Sequence, residues 1–342
     1  MNKDITYHFP AEWEPQEAVW FAWTTRQDLW KGYLDIVQNQ FIQLYRFCSN
    51  FQKVNILCSD TAQSNLIKLL DLKNPKYEIT VHAYETDDVW IRDYGPIFLK
   101  DKSSGSLLST DWIFNAWGAK YDLFKKDNAV PKWISNYLNI KNIDYPYILE
   151  GGAIDANGQG ILCTTNSVLK NLNRNLKDQD INWDDILCKA LGIETILWFK
   201  KGLHNDDTDG HIDNVLRFAP NNKILYAIET NQKSPNFDSL KEIEDLLNFY
   251  KKGALKGYKF QALPVPDPIF VDGAQVSASY TNYLILNGAV IVPSFGQEKD
   301  KEALSIIKAC FPDREAFGFD CLEIIREGGG LHCMSLNQPL AN

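Results

Sequence analysis

One cysteine stands directly behind a histidine and three glycines in the segment Arg326-Glu327-Gly328-Gly329-Gly330-Leu331-His332-Cys333. Consecutive glycines weaken helix and strand alike, so they point to a local need: close approach of the backbone to another group, or dihedrals closed to other residues. A thiol delivered by such a loop reads as a nucleophile, because the glycines leave room for a substrate and can offer backbone N–H groups. The competing reading is an inert, buried cysteine in a flexible tail. The remaining reactive residues decide between the two.

Three further segments collect those residues: Asp87-Asp88-Val89-Trp90-Ile91-Arg92-Asp93, Glu150-Gly151-Gly152-Ala153-Ile154-Asp155, and His204-Asn205-Asp206-Asp207-Thr208-Asp209-Gly210-His211-Ile212-Asp213-Asn214. A free thiol with a pKa near ~8.5 is only slightly ionised at neutral pH, so cysteine chemistry calls for a histidine partner. His211 and Asp213 are two residues apart and on an extended strand would share a face. Carboxylates beside a thiol oppose its ionisation unless they hold a cation. A planar guanidinium suits them: its forked N–H donors match two carboxylates with charge-assisted bonds of ~1.5–3 kcal/mol each. Its charge would in turn favour the thiolate. Cysteine, histidine and several carboxylates around a planar cation describe attack on an amidine-type carbon. A rival reading makes His204, Asp206, Asp209, His211 and Asp213 metal ligands, but neither H-E-x-x-H nor the spacing of a calcium loop is present, so no metal is expected. Trp90 reads as core, and on a strand it would face away from Asp93.

The elements that must position these residues belong to an ordinary globular chain. Of 342 residues, 45% are apolar and 23% charged, and no linker or low-complexity stretch divides them, so residues 1–342 read as a single domain. A net charge of −9 argues against nucleic acid as a partner and weakly favours a cationic ligand. The seven cysteines (48, 58, 163, 188, 310, 321, 333) form no C-x-x-C, as in a reducing compartment. Residues 1–8 lack the apolar stretch of a secretory signal, and no apolar run approaches the ~18–20 residues that span a membrane. A cytoplasmic protein is expected.

Strands are expected at 54–58, 97–99, 160–163, 224–226 and 289–292, and helices over 34–51, 238–251 and 299–310 from their apolar spacing. Asn157-Gly158, Asn221-Asn222 and Asn287-Gly288 supply hairpin turns. The polar residues Asp93, Glu150, His211, Asp272 and Cys333, each read as standing just before a hairpin, recur at 57, 61, 61 and 61 residues (150−93, 211−150, 272−211, 333−272). A radial repeat sending one residue per unit to a shared axis would produce such spacing.

Together the segments resemble the agmatine deiminase and bacterial peptidyl-arginine deiminase family of the guanidine-modifying, or pentein, superfamily. The resemblance rests on Trp-Ile-Arg-Asp-Tyr-Gly-Pro at 90–96, Phe-Asn-Ala-Trp-Gly at 114–118, Glu-Gly-Gly at 150–152, Gly-His-Ile-Asp-Asn at 210–214, Ala-Ser-Tyr-Thr-Asn at 278–282 and Gly-Gly-Gly-Leu-His-Cys at 328–333. Thr24 and Ser335-Leu336 depart from the family pattern. The resemblance implies an α/β fold, a five-bladed α/β propeller of ββαβ-type repeats around a pseudo-five-fold axis with the site on that axis. It implies Cys333 as nucleophile, His211 as general acid/base, Glu150 as the residue orienting it, and Asp93 with Asp213 as the guanidinium clamp. Trp90, Asp207 and Gly330 complete the substrate-binding set. No metal or organic cofactor is implied, and no membrane or nucleic-acid partner; a homo-oligomer is left open. The expected reaction is hydrolytic deimination of agmatine to N-carbamoylputrescine through a thiouronium intermediate, a step towards putrescine. Peptidyl- or free arginine are alternative substrates, and a non-catalytic polyamine- or guanidine-binding protein is the alternative class.

Overall fold

The computed structural model describes residues 6–72, 75–175 and 181–341. Residues 1–5, part of the segment read for a leader, lie outside them. One connectivity recurs: a short antiparallel hairpin, then a helix, then a strand returning parallel to the second hairpin strand. It builds Ile97–Asp101, Leu107–Ile113 and Lys141–Ile148 around helix Val130–Leu138. It builds Ile154–Ala156, Ile161–Thr165 and Thr195–Phe199 around helix Trp183–Leu191. Leu216–Ala219, Lys223–Ile228 and Lys259–Pro264 follow with helix Phe237–Tyr250, and Leu284–Leu286, Ala289–Ser294 and Glu315–Asp320 with helix Lys299–Cys310.

The fifth sheet joins the chain ends. Leu336–Pro339 lies antiparallel to Gln16–Ala22, which continues through helix Leu34–Cys48 to the parallel strand Lys53–Cys58 and through helix Asp60–Leu70 to Ile79–Ala83. The Trp20 indole N–H donates to Gln338 Oε1 at 2.9 Å across this seam. Cys333 is thereby held close to a strand anchored on the N-terminal segment.

The middle strands are continuous apolar runs because both of their faces are covered; Ala289 to Val292 are fully buried. Helices bury one stripe, Leu240, Ile243 and Leu247 in one case and Ala303, Ile307 and Cys310 in another, as their spacing predicts. Asn221 and Asn222 take left-handed φ values of 61° and 54°, the geometry of a two-residue hairpin turn. Among the described residues no helix is long and apolar enough to cross a membrane.

Three expectations fail locally. Residues 91–94 are one helical turn and 212–214 a 3-10 turn, not strands. Asp272 sits at φ 50° in the exposed turn of a small ribbon, Phe270–Val271 with Ala274–Gln275.

Candidate active site

Short turns, not strands, deliver the reactive side chains. Trp90 precedes the turn Ile91–Tyr94, and its carbonyl accepts the Asp93 N–H at 3.0 Å. That turn puts Trp90 and Asp93 on the wall of one cleft, against the strand-based expectation that they face apart. His211 opens the turn Ile212–Asn214, so it and Asp213 reach the same centre by a tight turn and not by strand alternation. Glu150 stands before the turn Gly151–Ala153, whose Gly152 N–H donates to Asp93 Oδ1 at 3.0 Å.

Each of the three glycines before Cys333 has its own cause. Gly328 has φ +86°, unfavourable for other residues. A Cβ on Gly329 would lie 2.2 Å from Trp90 Cζ3, and one on Gly330 would lie 2.5 Å from Asn282 Oδ1. The loop can therefore pack against an indole and a side-chain amide at backbone distance. Asn282 uses that approach: its Oδ1 accepts the N–H groups of His332 at 2.9 Å and Cys333 at 3.3 Å, while its Nδ2 lies 3.0 Å from Cys333 Sγ.

His211 is fully buried between carboxylates, with Nδ1 3.5 Å from Asp93 Oδ1 and Nε2 3.9 Å from Glu150 Oε2. These are ion-pair distances beyond a good hydrogen bond. Burial opposes its charge, but Asp93, Glu150 and Asp213 outweigh it and its pKa is pushed up to about 9. Glu150 is held as a carboxylate below its ordinary range: burial works against it, while Arg174, with Nε 2.7 Å from Oε1, and His211 prevail. Burial pushes Asp93 up to about 6; Asp213 and Glu150 add to this, whereas His211 and the Trp117 indole N–H, 2.9 Å from Oδ2, restrain it. Asp213 moves the other way, because His332, 2.7 Å from Oδ2, outweighs burial. Burial raises the Cys333 thiol well above the ordinary range, and Asp213 and Asp93 raise it further; hydrogen bonds from Gly330 and Asn282 offset only part of this. The resting pair is thus a neutral thiol and an imidazolium.

Among the described residues, ten buried side-chain nitrogen or oxygen atoms have no hydrogen-bond partner, and four of them are here: Glu150 Oε2, both ring nitrogens of His211, and Asp213 Oδ1. Buried polar groups are normally paired, so this concentration marks a centre built to receive a polar ligand. A cleft leads to Cys333 and Asp93. Its wall carries the indoles of Trp90 and Trp117, the phenol of Tyr121, and the carboxyl groups of Asp88, Asp207 and Glu327, and among the described residues no arginine or lysine lines it.

The structure brings Cys333, His211, Glu150, Asp93, Asp213, Trp90, Asp207 and Gly330 to this cleft or the buried centre beside it. Asp206 faces inward, where its carboxylate accepts from Thr208 and Asn214, and does not line the cleft. The five residues of the metal reading do not converge: Asp209 pairs with Arg174 and Lys120, and Asp213 with His332. Thr24 and Ser335 do not line the cleft either. Asn282, Trp117 and Arg174 were not singled out by residue type. The first two lie in segments 278–282 and 114–118 of the resemblance; no sequence signal marked Arg174.

A family model described as Porphyromonas-type peptidyl-arginine deiminase matches residues 8–339. The agmatine deiminases of Stutzerimonas stutzeri and Pseudomonas aeruginosa are each 32% identical to the chain, covering 97% of it and 95% of their own length. Among solved structures, the agmatine deiminase of Enterococcus faecalis superposes with a TM-score of 0.90 at 29% identity, covering 98% of this chain and 96% of that one. That of C. jejuni with substrate bound gives 0.89 at 27% identity, covering 98% and 97%. An amidinotransferase of Microseira wollei shares the fold alone, with a TM-score of 0.52 at 10% identity and 99% of each chain covered.

Two outcomes follow from this geometry. Gly329→Ala forces its new Cβ into the Trp90 ring, an overpacking of about 1–3 kcal/mol. It should lower the affinity of the cleft for small cations in calorimetric titrations by roughly tenfold or more, while Gly253→Ala, in open space, should not. Because the resting thiol is neutral well above its ordinary range, iodoacetamide should alkylate Cys333 slowly at neutral pH and faster as pH rises. An amidine-bearing haloalkyl reagent should label it rapidly at neutral pH and spare the other six cysteines, which peptide mass spectrometry will show.

Proposed function

The chain belongs to the Porphyromonas-type peptidyl-arginine deiminase family, and from that premise we propose that it hydrolyses agmatine to N-carbamoylputrescine and ammonia through a covalent intermediate on Cys333. The charge of the cleft wall carries the substrate choice. Agmatine has a cation at each end, and the wall offers Asp93 beside the thiol and Asp207 further out, with Asp88, pushed up to about 7 by burial, and Glu327, also raised by burial, gaining charge when a cation lies against them. Free arginine would bring an α-carboxylate to a wall that, among the described residues, holds no arginine or lysine. Lys120, next to Tyr121, is committed to Asp209 and to the Asp207 carbonyl. A peptidyl-arginine would leave the extra carboxylates without a counter-charge. Trp90 and Trp117 suit the methylene chain between the two cations.

In this scheme the guanidinium enters between Asp93 and Asp213, whose free Oδ1 takes one of its N–H groups. The cation then stands beside the sulfur in place of the thiol proton, which leaves to bulk water. The Cys333 thiolate adds to the guanidinium carbon. His211, already an imidazolium, protonates the departing amino group, and ammonia leaves a thiouronium adduct. The neutral His211 next takes a proton from water as that water attacks the same carbon. Collapse breaks the carbon–sulfur bond, the hydroxyl proton of the adduct passes to the sulfur, and the neutral ureido product leaves with the thiol restored. Glu150, held by Arg174, keeps His211 charged and placed, and no metal or organic cofactor enters a step. The same reading makes the five hairpin–helix–strand sheets the blades of an α/β propeller about a pseudo-five-fold axis, as one catalytic domain over residues 1–342. Seven cysteines without a C-x-x-C pair support a reducing, cytoplasmic setting.

Incubation with agmatine, arginine and a blocked arginine peptide, with ammonia and ureido product assayed, tests the substrate. Agmatine should be turned over best by a wide margin; preference for the peptide would overturn the assignment, and binding without ammonia release would make the protein a polyamine binder. Asp93→Asn and Asp213→Asn should each weaken substrate binding by roughly 10–150-fold, the loss of a charge-assisted bond of ~1.5–3 kcal/mol. Glu150→Gln should lower kcat more than it raises KM. Binding of an unreactive guanidine at about pH 8 should release close to one proton, since the cation lowers a thiol pKa that lies well above the ordinary range in the free enzyme. Calorimetry in buffers of different ionisation enthalpy reads this directly, and no net release would remove the cation from thiol activation.

A further inference from the structure

We infer that Glu12 and His332 form a buried relay that fixes the ionisation and orientation of Asp213, which makes both of them positioning residues for the deimination proposed above. His332 is almost completely buried, with Nδ1 2.7 Å from Asp213 Oδ2 and Nε2 2.8 Å from Glu12 Oε1. Ionised carboxylate oxygens only accept, so both ring nitrogens must donate and the ring is an imidazolium. Glu12 lies 320 residues away in sequence and is itself held as a carboxylate. Arg92 Nη1 is 2.8 Å from its Oε1 and Arg217 binds its Oε2. Charges therefore alternate from two guanidiniums through Glu12 and His332 to Asp213.

The consequence for Asp213 is a division between its two oxygens. Oδ2 is taken by His332 and faces Cys333 Sγ at 3.7 Å, with Asn282 Nδ2 at 3.4 Å. Oδ1 is buried and unpartnered. His332 thus turns one oxygen towards the protein and leaves the other for the guanidinium. Without the imidazolium, only the long contacts to Asn282 and the Cys333 thiol would reach Oδ2, in a place where burial favours the neutral form of the carboxyl. Glu12 also borders a second cavity, with Arg92, Asp155 and Asn337, that shares no lining residue with the catalytic cleft. A bound substrate would leave that cavity open, so the relay can exchange protons with solvent during turnover.

The test is the pH dependence of kcat/KM with agmatine in the wild type, His332→Gln and Glu12→Gln. The charged groups around Asp213 are His332, His211, Arg217, Asp93 and Cys333, and those around Glu12 are Arg92, Arg217, His332 and Asp155. Asp93, pushed up to about 6, sets the acid limb of the wild type. Loss of the imidazolium raises the proton affinity of Asp213, so the carboxylate is lost at higher pH as acid is added. The acid limb should move up by about one pH unit and steepen towards two protons in His332→Gln, and move less in Glu12→Gln. Acid limbs superimposable on the wild type, whatever the fall in rate, would reduce the pair to a structural role and overturn the relay. Should the variants fail to fold, nitrogen spectra of the wild type labelled with 15N-histidine decide. Both ring nitrogens of His332 should carry a proton, as their contacts with the Asp213 and Glu12 carboxylates require, and a neutral ring would overturn the relay. That readout needs no turnover, so a failed agmatine assay would count against the proposed activity and not against the relay.

Discussion

Charge buried at the centre of this protein survives only by alternation. One line runs Arg174, Glu150, His211, Asp93; the other runs Arg92 and Arg217, Glu12, His332, Asp213. An unpaired buried ion costs several kcal/mol, so no member of either line can be changed without exposing its neighbour's charge to the same penalty. Both lines begin with guanidinium groups and both end in a carboxylate. The two terminal carboxylates come together next to Cys333, where each raises the proton affinity of the thiol. A cation placed there completes both alternations at once. On the function proposed above, the arrangement that solves the burial of so many charges is also the one that receives the guanidinium.

Much of this was legible in the sequence, for identifiable reasons. Apolar runs and helical stripes predicted 224–226, 289–292 and 299–310 because those segments answer to burial alone. Residue types alone made a thiol, an imidazole and several carboxylates legible, and the resemblance of their segments picked out Cys333, His211, Asp213, Asp93 and Glu150 among them. The errors have a common origin in treating local geometry as regular. Trp90 with Asp93, and His211 with Asp213, were referred to a strand, whereas tight turns place them. Asp272 followed from an even period, but the ribbon at 270–275 lies upstream of the hairpin Leu284–Leu286 and Ala289–Ser294, and Asn282 is the residue that reaches the sulfur. Glu12 could not be read at all, since its partners lie in segments remote in sequence and its own neighbourhood has no motif.

Backbone strain gathers where the cleft wall must be exact in position. Ala116, Trp117, Gly118 and Ala119 have φ of 54°, 53°, 92° and 59°, a left-handed turn that costs about 1–2 kcal/mol for each non-glycine residue. It is held by Asn115, whose carbonyl accepts the Ala119 N–H at 2.7 Å and whose Oδ1 accepts that of Gly118 at 2.9 Å. The result is one hydrogen bond, from the Trp117 indole to Asp93 Oδ2, that fixes the carboxylate from the wall side while Gly152 fixes it from within. Strain of this kind persists only where surrounding contacts over-determine it.

A thiol kept neutral by its surroundings has a further consequence for the order of events. On the mechanism proposed above, Cys333 is a poor nucleophile until a cation lies against Asp93 and Asp213, so a neutral amide or urea reaching the cleft meets a thiol and not a thiolate. The product of deimination is such a molecule at the reacting end. Once the guanidinium has become a ureido group, the positive charge that stabilised the thiolate is gone, the carboxylates lose their counter-ion, and proton uptake by the sulfur becomes favourable again. Activation and release are then two readings of the same charge balance. The carboxylates of the cleft wall still attract the ammonium at the far end, but that attraction no longer acts on the sulfur. Commitment to reaction is therefore decided at the clamp, and the wall charges govern which cations arrive there.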